Sequence, residues 1–213
     1  MANRKQVGVP LLLGSAIIFI LSTLNAEPAE ENTLDQTISL DLLNQLTIQE
    51  ESRDGYQREL FMDRWSDFDQ DGCDTRREVL IQESLISVEI EEDCKIVLGK
   101  WVSIYDGLET DDPATFDVDH FVPLAESWDS GANIWTEEKR ELFANDLSDP
   151  DSLIAVSREA NRNKGEQDPA NWLPILPETH CWYVATWVSI KHRWDLSVDQ
   201  TEFDAIKKVL NSC

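Results

Sequence analysis

The sequence has few basic residues and very few histidines. Lysine and arginine together number 18, against 42 aspartates and glutamates, and the formal net charge is −24. A field of that sign repels nucleic acids and anionic membranes over most of the surface, which excludes a broad basic binding face. Because the chain contains only three histidines, a histidine placed beside an acid in an apolar stretch is a candidate for chemistry.

The sequence also lacks internal repeats, low-complexity tracts and cysteine pairs of the CxxC type. The absence of repeats excludes solenoid and propeller architectures. Without a CxxC pair, a structural zinc site is disfavoured. The length of 213 residues is sufficient for one domain of ordinary size with its own core.

The N-terminus begins with a short basic region and a long apolar run. Arg4 and Lys5 precede the apolar residues 7–24, and small and polar residues follow around Ala26. This pattern is typical of a secretory signal that is cleaved after Ala26. An uncleaved membrane anchor is the alternative, because the run approaches the length of a membrane span. Both interpretations export the rest of the chain, as a secreted or periplasmic protein or as an anchored one.

Four cysteines in an exported chain predict two disulfides. Two C-terminal segments carry apolar residues at helical spacing, and the short connection between them makes the two helices antiparallel. The start of the first helix, at Cys181, then lies beside the end of the second, at Cys213. We therefore expect a Cys181–Cys213 disulfide, which leaves Cys73 to pair with Cys94.

The remaining pattern predicts an α+β domain with a small antiparallel sheet, flanking helices and a C-terminal helical hairpin. The predicted organisation is a signal peptide or anchor (1–26), an acidic spacer (27–39) and one domain (40–213). Helices are predicted over 40–46, 55–65, 77–85, 136–147, 157–161, 181–194 and 202–210. Strands are predicted over 87–93, 94–105, 116–124 and 152–156, the third becoming irregular at its proline.

An aspartate–histidine pair stands near the end of one predicted strand, in the stretch DVDHFVPL. Asp119 and His120 are costly to bury unless they are paired or hold a metal. A helix follows the next predicted strand, and if it packs across the hairpin then Asn161 faces this pair. One carboxylate and one amide oxygen make a hard, open site suited to Mg²⁺ or Mn²⁺. His120 is then left as a general base with a pKa range suited to neutral pH.

Three basic residues lie in or directly after the helix predicted from residue 157, in a chain that is otherwise poor in cations. Arg158 and Arg162 share one helix face at i, i+4 spacing, and Lys164 follows them. A local basic patch of this kind in an acidic protein favours a phosphate ligand.

These motifs resemble the HNH endonucleases, also called the ββα-metal or His-Me finger family. More closely, the chain resembles the exported bacterial HNH proteins related to the GmrSD C-terminal domain. The resemblance rests on DVDHFVPL followed by SLIAVSREANRNKGEQDP, and it covers most of the chain. It implies that His120 activates the attacking water, and that Asp119 and Asn161 hold a single divalent metal.

The resemblance further implies that Arg162 and Lys164 position the backbone phosphate, and that the products carry a 5′-phosphate and a 3′-hydroxyl. Two departures accompany it. The middle asparagine of the HNH pattern falls at Ser152 or Asp151. In addition, strict strand geometry sends Asp119 and His120 to opposite faces, so they converge only if the strand ends or bulges there. Asp117 shares a face with Asp119 and would assist it.

A second candidate metal site lies in residues 67–78, which fit the calcium-loop template D-x-D-x-D-G-x₅-E. Gly72 would make the turn, and the carbonyl of Cys73 would add a ligand. An acidic turn without an ion is the alternative, because Asp74 stands where an apolar residue normally packs. The side-chain ligands of a structural Ca²⁺ would be Asp67, Asp69, Asp71 and Glu78.

The sequence thus predicts an exported, metal-dependent endonuclease of low sequence specificity. Its expected substrate is DNA, and RNA is left open as a second substrate. The protein is expected to be a monomer without a stable protein partner. The alternative, from another functional class, is a noncatalytic, calcium-stabilised binding domain on an HNH scaffold. The missing middle asparagine and the strong negative charge favour that alternative. An antibacterial toxin domain is a third, weaker interpretation.

Overall fold

The computed structural model describes residues 29–213, with side chains from Gln36 onward. The predicted signal or anchor therefore lies outside the described residues. None of the helices within that range has an apolar stretch long enough to span a membrane.

The described chain combines helices with short antiparallel strand pairs, which is the predicted α+β class. The strands form three two-stranded sheets, and in each sheet the two strands are successive strands of the chain. The helices are α1 (Ala29–Leu43), α2 (Thr75–Glu83), α3 (Leu124–Asp129), α4 (Glu137–Ala144), α5 (Arg158–Lys164), α6 (His180–Trp194) and α7 (Gln200–Leu210). The strands are β1 (Glu89–Glu91), β2 (Lys95–Leu98), β3 (Trp101–Val102), β4 (Glu109–Thr110), β5 (Phe116–His120) and β6 (Leu153–Ser157).

Side-chain caps set the beginnings of three helices where the sequence indicated them. Thr136 before α4, Ser157 before α5 and Asp199 before α7 each accept a hydrogen bond from the backbone N–H three residues later. Each cap satisfies one of the N–H groups that the first turn of a helix leaves unpaired, and contributes about 1 kcal/mol. The α6–α7 pair forms the predicted C-terminal helical hairpin.

The helix predicted over residues 55–65 is wrong. The structure has only a short 3₁₀ turn there, Arg58–Leu60. Phe61 and Met62, which follow this turn, are both buried, at 2% and 9% exposure. The carbonyl of Leu60 accepts a hydrogen bond from Arg140 Nε at 3.0 Å instead of one from a later turn. Tertiary contacts therefore override the helical spacing of this segment.

Helix α1 begins inside the segment interpreted as an acidic spacer. It packs against α6 and α7. Leu43 is fully buried, Ser39 is 4% exposed, and Gln36 Nε2 donates a hydrogen bond to the carbonyl of Leu210 at 2.5 Å. Residues 29–39 are thus part of a packed helix.

The β5–β6 hairpin is covered by apolar residues on both faces. Leu153 and Ala155 belong to a small core that also contains residues of α2, whereas Ile154 and Val156 belong to the main core. Double coverage explains why β6 has an unbroken apolar sequence instead of an alternating one. The hairpin is consequently a fixed platform for the residues that β5 carries.

Both predicted disulfides are confirmed. Cys73 pairs with Cys94, with Cα atoms 5.2 Å apart, and joins the acidic loop before α2 to the β1–β2 hairpin. Cys181 pairs with Cys213, with Cα atoms 5.8 Å apart, and joins the start of α6 to the end of the chain.

Candidate functional site

Strands β5 and β6 and helix α5 form a hairpin with a helix packed across it. The two strands pair in regular register, with Asp119 opposite Ile154 and His120 opposite Leu153, and the ladder contains no bulge. Since side chains alternate along a strand, the carboxylate of Asp119 and the ring of His120 project to opposite faces of the hairpin. The convergence that the HNH resemblance implies is therefore not formed in this state of the molecule.

The face toward α5 carries a row of polar contacts, which we call the α5 ladder: Asp117, Asp119, Arg158, Asn161 and Lys164. The three helical members are spaced i, i+3, i+6 and so lie on one helix face. Arg158 Nε lies 3.5 Å from Asp117 Oδ1, and Asn161 Nδ2 lies 3.4 Å from Asp117 Oδ2. Lys164 Nζ donates to Asp119 Oδ2 at 2.7 Å. The structure thus brings Asn161 to Asp117, while Asp119 pairs with Lys164.

The inner end of the ladder is buried. Asp119 is 6% exposed and Lys164 is fully buried. Asp119 Oδ2 also accepts a hydrogen bond from the Tyr105 hydroxyl at 2.8 Å, and Lys164 Nζ donates to the carbonyl of His120 at 3.0 Å. Burial raises the pKa of Asp119 and lowers the pKa of Lys164, and their pairing offsets these shifts only in part. Lys164 is therefore not accessible to a phosphate in this state.

The outer end of the ladder is open to solvent. The Asp117 side chain is 31% exposed and that of Arg158 is 46% exposed. The side chain of Arg162, on the next turn, is exposed and has no hydrogen bond or ion pair among the described residues. Arg158 and Arg162 are therefore the two predicted phosphate contacts that an outside ligand can reach.

His120 lies on the other face, against the aromatic ring of Trp65. The two rings are stacked, with centroids 5.0 Å apart and an interplanar angle of 7°. Nε2 lies 2.9 Å from the carbonyl oxygen of Ala144. Because a carbonyl only accepts hydrogen bonds, Nε2 carries the proton and Nδ1 keeps its lone pair. Burial, with the positive charges of Arg58 and Lys164, lowers the pKa of His120 to about 3. The imidazole is thus neutral at physiological pH.

Ser152, at the position of the middle asparagine of the HNH pattern, has no hydrogen bond to the ring of His120. Its hydroxyl donates to Asp146 Oδ2 at 3.0 Å. Its carbonyl accepts from the backbone N–H of Phe121 at 3.0 Å, one residue beyond His120. Ser152 therefore contacts Asp146 and Phe121, and it makes no hydrogen bond to the imidazole of His120.

The acidic loop before α2 has internal hydrogen bonds from its backbone to its own carboxylates. Gly72 N donates to Asp67 Oδ2 at 3.1 Å, and Gly72 has a φ of +97°, which suits glycine. Carboxylate oxygens of Asp67, Asp69 and Asp71 lie within 4.8 Å of one another, and Glu78 reaches the same distance from Asp71. Burial and then the negative charges of these three aspartates raise the pKa of Glu78. The donor set suits a hard cation.

Three groups that contact the site residues carry no recognisable signal in the sequence. Tyr105 and Trp65 look like ordinary core aromatics in the sequence, and the carbonyl of Ala144 has no sequence signal at all. These contacts join parts of the chain that are distant in sequence, so local spacing could not reveal them.

Comparison with known proteins supplies a family match. The family model described as GmrSD restriction endonucleases, C-terminal domain, matches residues 74–209, more than half of the chain, and this segment contains the whole α5 ladder and His120. The chain is also similar to an uncharacterized secreted protein of Arthroderma benhamiae. The two are 36% identical over 197 residues, which covers 92% of this chain and 95% of that protein. No solved structure gives a significant match.

Proposed function

The chain belongs to the family of the GmrSD restriction endonuclease C-terminal domain, and from that membership we propose that it is an exported, metal-dependent endonuclease. Its substrates are the phosphodiester bonds of DNA, cut with little sequence preference. The observation that carries the proposal is the α5 ladder, a set of acid, amide and guanidinium groups on a ββα hairpin within the matched segment. The secreted relative supports export.

The donor chemistry of the ladder fits a hard divalent ion such as Mg²⁺ or Mn²⁺. Adjacent ligands in an octahedral site with metal–oxygen distances of about 2.1–2.4 Å are separated by about 3.0–3.4 Å. The terminal amide atom of Asn161 lies 3.4 Å from Asp117 Oδ2, and this amide can present either its nitrogen or its oxygen. Asp119 would contribute Oδ1, since Oδ2 is engaged by Lys164 and Tyr105.

The roles of the other residues follow from their exposure and charge. A bound ion would stabilise negative charge that develops on the phosphate and on the leaving 3′ oxygen. Arg158 and Arg162 hold the backbone phosphate at the open end of the ladder, a contact that does not depend on base sequence. Cleavage of the bond between phosphorus and the 3′ oxygen leaves a 5′-phosphate and a 3′-hydroxyl.

His120 is the general base of the proposal, with Nδ1 as the atom that accepts a proton. For this nitrogen to reach water at the ladder, the last pair of the hairpin, His120 with Leu153, has to open. Opening hydrates the ring, and hydration raises the pKa of His120 from about 3 toward the ordinary histidine range. That is the range in which a general base works best at neutral pH.

A plasmid nicking assay tests the proposal. The purified protein is incubated with supercoiled DNA and Mg²⁺, with and without EDTA, and a parallel reaction contains single-stranded RNA. We expect nicking that EDTA and His120→Ala both abolish. His192→Ala is the matched control, because the His192 side chain is exposed and lies outside the site. Unchanged nicking by His120→Ala would remove His120 from its role.

A noncatalytic binding domain is the second candidate function. The observation that favours it is the state of the pair itself, because Asp119 and His120 are both buried and face opposite ways. If it holds, the wild-type protein binds Ca²⁺ but cuts neither DNA nor RNA with Mg²⁺, Mn²⁺ or Ca²⁺ across a range of salt concentrations.

Calcium at the acidic loop is a separate part of the proposal. We expect Ca²⁺ to raise the melting temperature of the wild-type protein, because the ion relieves repulsion among the loop carboxylates. Mg²⁺ at the same concentration should have a smaller effect, since it favours a tighter octahedral site. Asp69→Ala should lose the Ca²⁺ effect. Equal shifts in the variant and the wild type would exclude this loop as the site.

A further inference from the structure

His120 is held at two places by one connecting segment. Its Nε2 atom lies 2.9 Å from the carbonyl oxygen of Ala144, the last residue of α4. Its backbone pairs with Leu153, the first residue of β6. Residues 145–152 join these two places. Whatever fixes the shape of this connection therefore also fixes where the imidazole lies.

Asp146 lies within this connection and ties its two ends together. Its side chain is almost fully buried, at 6% exposure of the residue. Oδ1 accepts hydrogen bonds from the backbone N–H and the hydroxyl of Ser148, at 3.0 and 2.6 Å. Oδ2 accepts a hydrogen bond from the hydroxyl of Ser152 at 3.0 Å. A single carboxylate thus closes the segment into a compact turn.

The same carboxylate anchors the turn to the end of α6. Arg193 donates from its guanidinium to Asp146 Oδ2 at 2.5 Å, and Trp194 Nε1 donates to the same oxygen at 3.1 Å. Arg193 also donates to the hydroxyls of Ser148, at 3.2 Å, and Ser152. Burial alone would raise the pKa of Asp146, but the hydrogen bonds from Arg193 and Ser148 outweigh it and lower that pKa. The group is therefore a carboxylate at neutral pH.

We propose that Asp146, together with Arg193 and Ser152, positions the imidazole of His120 and takes the place of the middle asparagine of the HNH pattern. An asparagine can bond both sides of a turn through its amide, whereas the hydroxyl of Ser152 is too short to do so alone. The carboxylate of Asp146 supplies the missing connection. The inference rests on the proposed function only for its catalytic consequence, since the contacts exist whether or not the protein cuts DNA.

Two consequences follow for a protein without this carboxylate. The turn loosens, the carbonyl of Ala144 moves relative to Nε2, and the proton is no longer confined to that nitrogen. The base is oriented only if Nε2 stays bonded to the carbonyl of Ala144 when the His120–Leu153 pair opens. Without that bond the fraction of molecules with Nδ1 ready to accept a proton falls, while the phosphate contacts at Arg158 and Arg162 stay intact. A displacement of the base by about 1 Å is expected to lower kcat about 100-fold with little change in KM.

Nitrogen NMR of the three histidines tests the positioning directly, alongside the nicking kinetics. In Asp146→Asn we expect the His120 signals to change from a single Nε2–H tautomer to a mixture of the two neutral tautomers. Asp149→Asn is the matched control, because the Asp149 carboxylate lies in the same connection, 3.5 Å from Arg193 Nε, but bonds to the backbone N–H of Asp151 and not to the hydroxyls of Ser148 and Ser152. It should retain the wild-type tautomer and kcat.

Two further variants complete the test: one should restore the contact that Asp146→Ala removes, and the other weakens the contacts of Asp146 without removing its carboxylate. Adding Ser152→Asn to Asp146→Ala should restore part of the lost kcat and the Nε2–H tautomer. Trp194→Phe removes one hydrogen bond to Asp146 and should change both measures in the same direction by less, even if Asp146→Asn does not fold.

The outcomes separate the inference from the proposed function. An active wild type whose folded Asp146 and Trp194 variants keep the wild-type tautomer and kcat overturns the inference. An inactive wild type whose His120 signals still change in Asp146→Asn supports the positioning and contradicts the nuclease proposal.

Discussion

Among the residues whose side chains the structure describes, two lysines are fully buried, and their surroundings differ in charge. Lys191 Nζ, in α6, lies 2.6 Å from Glu126 and 2.7 Å from Glu202, and also bonds to the hydroxyl of Ser130 at 2.9 Å. Lys164 Nζ, in the α5 ladder, has one carboxylate partner, Asp119, at 2.7 Å. The ammonium group of Lys191 therefore has two carboxylate partners, whereas that of Lys164 has one.

The pKa values change in opposite directions at these two sites. At Lys191, the effect of burial is outweighed by Glu126 and Glu202, and the pKa is raised. At Lys164, burial outweighs Asp119, and the pKa is lowered. At Lys191 the attraction of two carboxylates exceeds the cost of burying the ammonium group. Its ion pairs hold α3, α6 and α7 together. The Lys164–Asp119 pair offsets only part of the free-energy cost of its burial, so its rearrangement costs less, as the proposed opening of the His120–Leu153 pair requires.

Lys191→Met should give the largest loss of stability. The substitution leaves Glu126 and Glu202 buried without their cation, and breaking a buried pair in this way costs about 3–5 kcal/mol. Urea unfolding followed by tryptophan fluorescence measures the loss. A loss below about 1 kcal/mol would mean that the ion pairs of Lys191 do not hold the three helices together.

Lys164→Met should destabilise less, by about 1–3 kcal/mol, because only Asp119 and one carbonyl lose a donor. Asp119 can also take up a proton, as its raised pKa favours. The same urea experiment compares the two variants. A loss equal to that of Lys191→Met would remove the distinction between the two sites.

The pH dependence of stability distinguishes the sites further. Glu51 faces Glu126, Lys191, Glu202 and Asp199, and burial together with Glu126 raises its pKa to about 8. A folded-state pKa above the unfolded value means that the folded protein holds a proton which the unfolded chain has lost. This contribution to stability is complete below about pH 4.5 and declines as the pH rises toward about 8.

Glu51→Gln removes this titration and should flatten the decline. Melting temperatures measured between pH 4.5 and 8 should fall less steeply in the variant than in the wild type. Glu50→Gln is the control, because Glu50 is exposed. Identical slopes in Glu51→Gln and the wild type would show that the cluster does not govern the pH response.

Local signals in the sequence predicted much of this fold. The caps at Thr136, Ser157 and Asp199 depend on hydrogen bonds within four residues, so the sequence places these helices well. Both disulfides were predicted because the antiparallel C-terminal helices bring Cys181 to Cys213 and leave only one other pair.

The predictions that differ from the structure concern contacts between segments that are distant in the sequence. The helix predicted over 55–65 is replaced by irregular structure because α4 uses one of its carbonyls. Lys164 was expected at a phosphate, but it lies inside the fold and pairs with Asp119, which also accepts a hydrogen bond from the Tyr105 hydroxyl. Residue type and spacing indicated that these groups were important, whereas burial, which depends on the assembled fold, decided what each of them contacts.

Product analysis of plasmid nicking with Mg²⁺ tests the central claim most directly, with wild type and Asn161→Ala compared side by side. The account predicts nicks with 3′-hydroxyl ends that a DNA polymerase can extend, and their loss in Asn161→Ala. Nicks that cannot be extended, or equal cleavage by the variant, would contradict it.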